Sequence, residues 1–481
     1  MSISNALSNA LSGLTANARA VNVVSNNLAN LHTEGYGRRE IALTAPEYGG
    51  VRVAGIIRHV DVGLLGDRRI AQSGLAHAET RAEFIAGVQG VVGTPDQAGS
   101  LSARLAALEA SLISAAARPD EQNRLQAVSS RAFELAAAFE AVSDDIQSRR
   151  QAAEAEIARG VETVNSSLEQ VQTLNRQISS ARLRGYDTAG LEDQRQIVID
   201  RIADYIPVRE VPRDNGVVAL TMPAGAMLLD GQRVTLGFEH ANVIAPHMTL
   251  DNGLLSGLTV NGQAVTPAGA GSPVSGGRLS ALFEVRDTLA VDAQTQIDAL
   301  ARDLIERFQA PGLDATRGAG DPGLFTDAGA VFVAADELGL AARIKLNALV
   351  DPAQGGDLRY LRDGFGAAVP GPTGEAGLLN AMTEALAARR PLASGDLGRG
   401  TGSAATHAGS FVSRLGQQQL TADAATSFAR ASTSEMRERL LQDGVDSDAE
   451  TQRLLLIEQA YSANARMIQT LDEMMQTLLR I

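Results

Sequence analysis

Near both ends of the chain, apolar side chains recur at alternating intervals of three and four residues, which is the spacing of a coiled-coil heptad. A stripe this regular predicts a long amphipathic helix at each end. The stripe near the start comprises Leu7, Leu11, Leu14, Ala18, Val21, Ser25 and Leu28. The stripe near the end comprises Leu454, Ile457, Tyr461, Asn464, Ile468, Leu471, Met475 and Leu478. Ser447 and Glu450 fit a capping box, so the second helix is expected to begin near Asp448.

A single helix of this kind is commonly a core helix of one globular domain. Two such helices at the two ends of a chain favour a different interpretation. One narrow stripe offsets only part of the conformational entropy that is lost when about 30 residues become ordered. Each terminal helix therefore needs neighbours, and we expect the two stripes to pack against other subunits.

Composition excludes several classes of function. The chain has 481 residues, a net charge of −14, no cysteine and only one lysine, Lys345. Nucleic acids and anionic membrane surfaces are disfavoured as partners, because binding to phosphate needs a basic face. The start lacks the basic and apolar segments of a secretory signal peptide, and no apolar run is long enough to span a bilayer. If the protein leaves the cell, we expect export without a cleaved signal.

The segment SNNLANLHTEGYG, residues 25–37, predicts an abrupt stop to the first helix. Asparagine and glycine tolerate the left-handed conformation that ends helices, and the tyrosine ring can anchor the following turn. We therefore predict a joint after the terminal helix. Its residues are Asn26, Asn27, Asn30, Gly35, Tyr36 and Gly37.

Two terminal motifs carry a resemblance to a known family. The stretch VSNNLAN at residues 24–30, followed by Thr33, Gly35, Tyr36 and Arg38, resembles the N-terminal signature of flagellar rod, hook and hook-associated proteins. The stretch QAYSANA at residues 459–465 resembles their C-terminal signature. The resemblance implies that the terminal helices form a coaxial coiled coil that lines the channel of the flagellar axial structure. It also implies that these helices are typically disordered in the free subunit.

The middle of the chain predicts a mainly α fold with an inserted β domain, in which both ends of the chain contribute to one long helical rod. Heptad spacing from Leu125 to Ile178 indicates a helix of unusual length. Asn-Gly and Asp-Gly pairs between short apolar runs indicate β-hairpins. The predicted domains are a terminal coiled coil (1–35 and 448–481), a rod with a short β segment (36–207 and 376–447), a β domain (208–277), a helix continuing the rod (278–310) and a mixed loop and β region (311–375).

This order of elements resembles the hook-associated members of the family, which join the hook to the filament. The segments that carry this resemblance are GYGRRE, LEDQRQIVIDRIADYI, GGRLSALFEVRDTL and DGVDSDAE. Hook and distal rod subunits share the N-terminal signature, so they are the alternative within the family. Their middle is mostly β, which favours the hook-associated members for this chain. The resemblance implies a homo-oligomeric ring as the assembly. The implied partners are the hook protein, the next hook-associated junction protein, an export chaperone and the type III export apparatus.

Patterns that would indicate an enzyme or a ligand site are weak. Gly318, Gly320 and Gly323 match G-x-G-x-x-G, but no predicted strand precedes them and Pro322 interrupts them. His240 and His247 have no obvious third metal ligand. We therefore expect no catalytic residues, no cofactor and no metal. The family resemblance implies a location outside the cell, in the flagellum. A secreted enzyme with coiled-coil ends is the alternative from a different class.

Overall fold

The computed structural model describes residues 3–33, 35–47, 49–269, 271–397, 400–442 and 444–480. Helices dominate it, and the prediction of a mainly α fold with an inserted strand region is confirmed. The helices are α1 (Ile3–Ala29), α2 (Val62–Val92), α3 (Leu101–Ala117), α4 (Gln122–Leu183), α5 (Ala189–Tyr205), α6 (Arg278–Glu284), α7 (Ala290–Phe308), α8 (Leu340–Arg343), α9 (Tyr360–Asp363), α10 (Gly377–Ala387), α11 (Ala404–Gln442) and α12 (Ser447–Leu479).

The strands are short and form four small antiparallel sheets within the described residues. The first sheet is a hairpin near the start, and the others lie in the middle of the chain. The strands are β1 (Arg38–Thr44), β2 (Arg52–His59), β3 (Arg209–Pro212), β4 (Val218–Thr221), β5 (Met227–Asp230), β6 (Gln232–Arg233), β7 (Leu236–Gly237), β8 (Leu258–Val260), β9 (Gln263–Val265), β10 (Phe325–Asp327) and β11 (Ile344–Leu346). β1 pairs with β2 from Arg38 opposite His59 to Thr44 opposite Arg52.

The helical body is built around α4, which is 62 residues long. Its apolar stripe, from Leu125 to Ile178, is buried along its length, because α3, α5 and α7 pack against it. Both halves of the chain contribute to this body: α2 packs along α11, and α3 packs against α10. None of the helices in the described ranges has the length and apolarity needed to cross a bilayer.

The strand region between α5 and α6 turns where Asn-Gly pairs occur. Asn261 and Gly262 both have positive φ, at 50° and 79°, and join β8 to β9. Two consecutive residues in this conformation match the right-handed twist of paired strands, which explains why the hairpin uses Asn-Gly. A second Asn-Gly pair, Asn215 and Gly216, lies between β3 and β4, and both of its residues also have positive φ, at 55° and 75°.

A buried ion-pair cluster fixes the strand region to α4. The Arg286 guanidinium is fully buried and lies 2.6 Å from Glu154 Oε2 and 2.8 Å from Asp287 Oδ2. Glu154 also accepts a hydrogen bond from the backbone N–H of Ala241 in the strand region. The Arg150 guanidinium donates to the backbone oxygen of Arg286. Because Arg286, Glu154 and Arg150 each have several partners, the cluster holds the insert in one orientation on the long helix.

Candidate assembly joint and terminal helices

The two terminal helices pack against each other in opposite directions. A side chain added at Gly13 of α1 would lie 2.8 Å from Nδ2 of Asn464 in α12. At the other end of the pair, Arg38, which follows α1, lies 3.7 Å from Glu450 in the first turn of α12. The chain therefore begins and ends in one antiparallel helix pair, and Gly13 permits the close approach of the two helices.

On α12, the stripe predicted from the sequence faces α1. Leu454, Ile457, Asn464, Ile468 and Leu471 are half-buried, whereas most other positions of this helix are exposed. Tyr461, Met475 and Leu478 from the same stripe remain exposed. One helix thus covers the α12 stripe only in part, and area remains for further neighbours.

On α1, the face that is buried in this chain differs from the predicted stripe. Its buried residues are Ala10, Ala16, Ala20, Val23, Val24 and Asn27. Leu11 is 59% exposed, Ala18 is also exposed, and Leu7, Leu14, Val21 and Leu28 are only half-buried. The small residues of α1 therefore pack within the chain, and its leucine stripe lies at the edge of that contact, open to a further neighbour.

Asn27 is the hub of the joint. Its side chain is fully buried, although asparagine is rarely found there. Its Nδ2 donates to the backbone oxygen of Arg39 at 2.8 Å, and its Oδ1 accepts from the backbone N–H of Arg39 at 3.0 Å. The Tyr36 hydroxyl donates to the same Oδ1 at 2.8 Å. Asn27 thus binds β1 as a neighbouring strand would, and satisfies its own polar atoms.

The other asparagines end the helix. Nδ2 of Asn30 donates to the backbone oxygen of Asn26 at 2.9 Å, and the Thr33 hydroxyl donates to Oδ1 of Asn30 at 3.1 Å. Gly35 then takes a positive φ of 81°, which only glycine adopts without strain. These contacts turn the chain sharply toward β1. The side chain of Asn26 itself is exposed.

The ring of Tyr36 packs under a cation. The Arg39 guanidinium lies 4.8 Å from the ring centroid, a distance typical of a cation–π contact. Burial raises the pKa of the Tyr36 hydroxyl. The hydroxyl is therefore a proton donor at neutral pH, as its hydrogen bond to Asn27 requires.

Asp193, on α5, binds the joint from the helical body. Its carboxylate lies 2.6 Å from Arg39 Nη2 and 2.7 Å from Arg58 Nε, and it accepts a hydrogen bond from the backbone N–H of Gly37 at 3.2 Å. Arg58 also donates to the backbone oxygen of Gly35. Charge-assisted bonds of this geometry are the stronger kind of polar contact.

Gly37 is required by close packing. A Cβ at this position would lie 2.5 Å from Arg58 Nε and 2.7 Å from Val60 Cγ2. We expect Gly37→Ala to displace Arg58 from Asp193 and to destabilise the joint by about 1–3 kcal/mol. Hydrogen exchange at the Arg39 amide, which donates to Asn27 Oδ1, measures this effect. Gly55→Ala on β2 is the matched control, because nothing lies within 4 Å of its added Cβ; equal exchange in the two variants would contradict the prediction.

The start of α12 corrects one expectation. The helix is capped by Asp446, whose carboxylate accepts from the backbone N–H groups of Asp448 and Ala449, so Ser447 is its first residue and not its cap. Glu450 is buried and lies 3.4 Å from Arg453 and 3.7 Å from Arg38. Its side chain therefore ties α12 to β1 and does not close a capping box.

Sequence reasoning missed the charged partners of the joint, which are Arg39, Arg58, Asp193 and Glu450. Asp193 lies in LEDQRQIVIDRIADYI, a segment noted only for its resemblance to the family. Its acidic and amide residues at 193, 196, 200 and 204 recur on one side of α5, and that spacing was the available signal. Within the described part of the chain, no group of three or more His, Asp or Glu residues could hold a metal ion.

Comparisons with known proteins agree with the terminal and central patterns. The family model "Flagellar hook-associated protein FlgK helical domain" matches residues 86–324. The model "Flagella basal body rod protein" matches residues 7–36, and the model "Flagellar basal body rod FlgEFG protein C-terminal" matches residues 437–481. Together the three matches span most of α1, all of α12 and the helices α3 to α7 of the helical body.

Individual relatives are distant in sequence. Flagellar hook-associated protein 1 of Bacillus subtilis is 23% identical over 98% of this chain and 97% of its own length. Flagellar hook-associated protein 1 of Salmonella typhimurium is 26% identical over 53% of this chain, and the match spans about half (51%) of that protein. The flagellar hook junction protein FlgK of Burkholderia pseudomallei is similar in structure, with a TM-score of 0.43 and 21% identity over 54% of this chain and 46% of that chain.

Proposed function

Because the chain belongs to the flagellar hook-associated protein family, we propose that it is a structural subunit of the junction between hook and filament, and that filament assembly requires it. The observation that carries this proposal is the leucine stripe of α1, which is only partly covered within the chain, while both chain ends meet at one joint. A stripe of this kind buries apolar area only when a further helix packs on it.

In this proposal the two parts of the molecule have separate tasks. The terminal helices stack with those of other copies and of neighbouring axial proteins around a common channel. The helical body lies outside them and connects a flexible hook to a stiff filament. The assembly interface consists of Leu7, Leu11, Leu14, Ala18, Val21, Leu28, Leu454, Ile457, Tyr461, Asn464, Ile468, Leu471, Met475 and Leu478, and Asn26, Asn27, Asn30, Gly35, Tyr36 and Gly37 set the angle at which this layer leaves the body.

The partners and location follow from the same proposal. The chain forms a homo-oligomeric ring between the hook protein and the next hook-associated junction protein. An export chaperone and the type III apparatus deliver it through the channel, without a cleaved signal peptide, to the outside of the cell. Its role is structural, with no catalytic step.

Electron microscopy of a strain that lacks the protein tests the proposal. We expect complete hooks without filaments, and recovery of filaments when the full chain is supplied. A strain without hooks would instead favour a hook or distal rod subunit, the alternative supported by the rod-family matches at both termini. Normal filaments in the deletion strain would contradict both readings.

A further inference from the structure

The β1–β2 hairpin connects the terminal helices to the helical body. It holds α1 through Asn27, and it holds α12 through the contact of Arg38 with Glu450 and that of Glu40 with Arg453. The angle of this hairpin on the body therefore sets the direction in which both terminal helices leave.

The hairpin and the body do not pack together completely. A cavity of about 160 Å³ lies where the hairpin meets the body, with the end of α1, the start of α2, α5 and the end of α11 as its walls. A second, wider groove of about 820 Å³ lies between residues 53–58 of the hairpin and the residues that follow α4. Empty space on this scale leaves neighbouring elements free to shift unless polar contacts hold them.

Asp193 supplies those contacts. Its carboxylate, only 14% exposed, binds Arg39 of β1, Arg58 of β2 and the Gly37 N–H that precedes both strands. A single side chain of the body thus grips both strands of the hairpin. The two guanidinium groups approach the two different oxygens of the carboxylate, which fixes direction as well as distance.

The helix that carries Asp193 is itself firmly attached. Val198, Ile199 and Ile202 of α5 are buried in the core. On its polar side, Arg69 of α2 lies 2.6 Å from Asp200, and Gln72 donates to Asp204 at 2.6 Å. Asp193 is therefore anchored in the rigid body, and a change in its contacts moves the hairpin rather than α5.

We propose that Asp193 is a positioning residue that sets the angle between the terminal helices and the helical body. Its consequence in the flagellum rests on the proposed junction function, but the angle is a property of the isolated chain. If the distance measurement below fails, the proposed junction function still stands. If the deletion strain does not show hooks without filaments, the proposed role of Asp193 in the isolated chain still stands.

Distance measurement between two spin labels tests the proposal. The chain has no cysteine, so Thr44→Cys on the hairpin and Gln170→Cys on α4 provide two unique, exposed labelling sites. We expect one narrow distance distribution for the otherwise unchanged chain and at least a twofold wider distribution with Asp193→Ala. Asp193→Glu restores the charge and is expected to recover most of the narrow distribution.

Gln194→Ala, at the exposed neighbouring position, is the matched control and is expected to leave the distribution unchanged. Circular dichroism melting accompanies each variant, and we expect similar melting temperatures because the core of α5 is intact. If Asp193→Ala does not fold, Asp193→Asn takes its place, since it keeps the shape and removes the charge. A distribution as narrow as that of the parent in the folded Asp193 variant would overturn the proposal.

Discussion

Leu11→Glu is expected to abolish filament growth while leaving the isolated chain folded. Leu11 is 59% exposed, so a carboxylate at this position costs little in the free molecule. In the assembled helical layer the same carboxylate would be buried without a partner, which is strongly unfavourable. We expect unchanged helical content and melting of the purified variant, and cells that carry hooks but no filaments.

Ser8→Glu is the matched control, because Ser8 is an exposed polar position on the same helix and lies outside the leucine stripe. It is expected to support normal filaments and motility. Proline at Leu14 or Ile468 is expected to abolish filaments as well, since it breaks a terminal helix, although this change also affects the free chain. Normal motility of the Leu11→Glu strain would show that the stripe is not an assembly surface.

Asn27→Ala should detach the first helix from the hairpin. The substitution leaves the N–H and the oxygen of Arg39 and the Tyr36 hydroxyl without their buried partner. A loss of this kind costs about 2–4 kcal/mol locally, which is enough to open the joint. We expect faster hydrogen exchange at the Arg39 amide and a large reduction in the number of filaments per cell.

Asn26→Ala tests whether the effect is specific to the buried side chain. Asn26 is adjacent, has the same chemistry and has an exposed side chain; its backbone oxygen, which Asn30 uses, is retained. We expect exchange and filament number close to those of the parent. If the two alanine variants exchange at the same rate at Arg39, Asn27 is not the hub of the joint.

Periodicity predicted a helix at each end of the chain, and the two predicted stripes lie differently with respect to the contact between these helices. On α12 the half-buried residues of the heptad stripe lie on the side that packs against α1. On α1 the buried face carries Ala10, Ala16 and Ala20 and not the leucines of the stripe. Local spacing reports which residues can share a face, but the choice between two usable faces depends on the partner.

Local sequence was enough to predict a joint after the first helix. It was not enough to predict that Asp193 of α5 holds this joint to the helical body. Asparagine and glycine at a helix end are a short-range signal, and on that signal Asn27 and Gly37 were assigned to the predicted joint; in the structure Asn27 binds Arg39 and Gly37 binds Asp193. Asp193 is 156 residues from Gly37 along the chain, and no local pattern reveals which distant arginines a carboxylate meets. The error at Ser447 arose from the same limit, because Asp446 and Ser447 are both good caps and tertiary contacts draw Glu450 toward Arg38.

The contacts of Asn27 also bear on the order in which the chain folds. The hub links residues only 12 positions apart, and loops of about ten residues close within roughly 10–100 ns. The contacts of Asp193 join residues that are 135 positions apart, as for Arg58. Contacts between residues this distant in sequence form late in folding. A folding chain is thus expected to form the contacts of Asn27 first and those of Asp193 last.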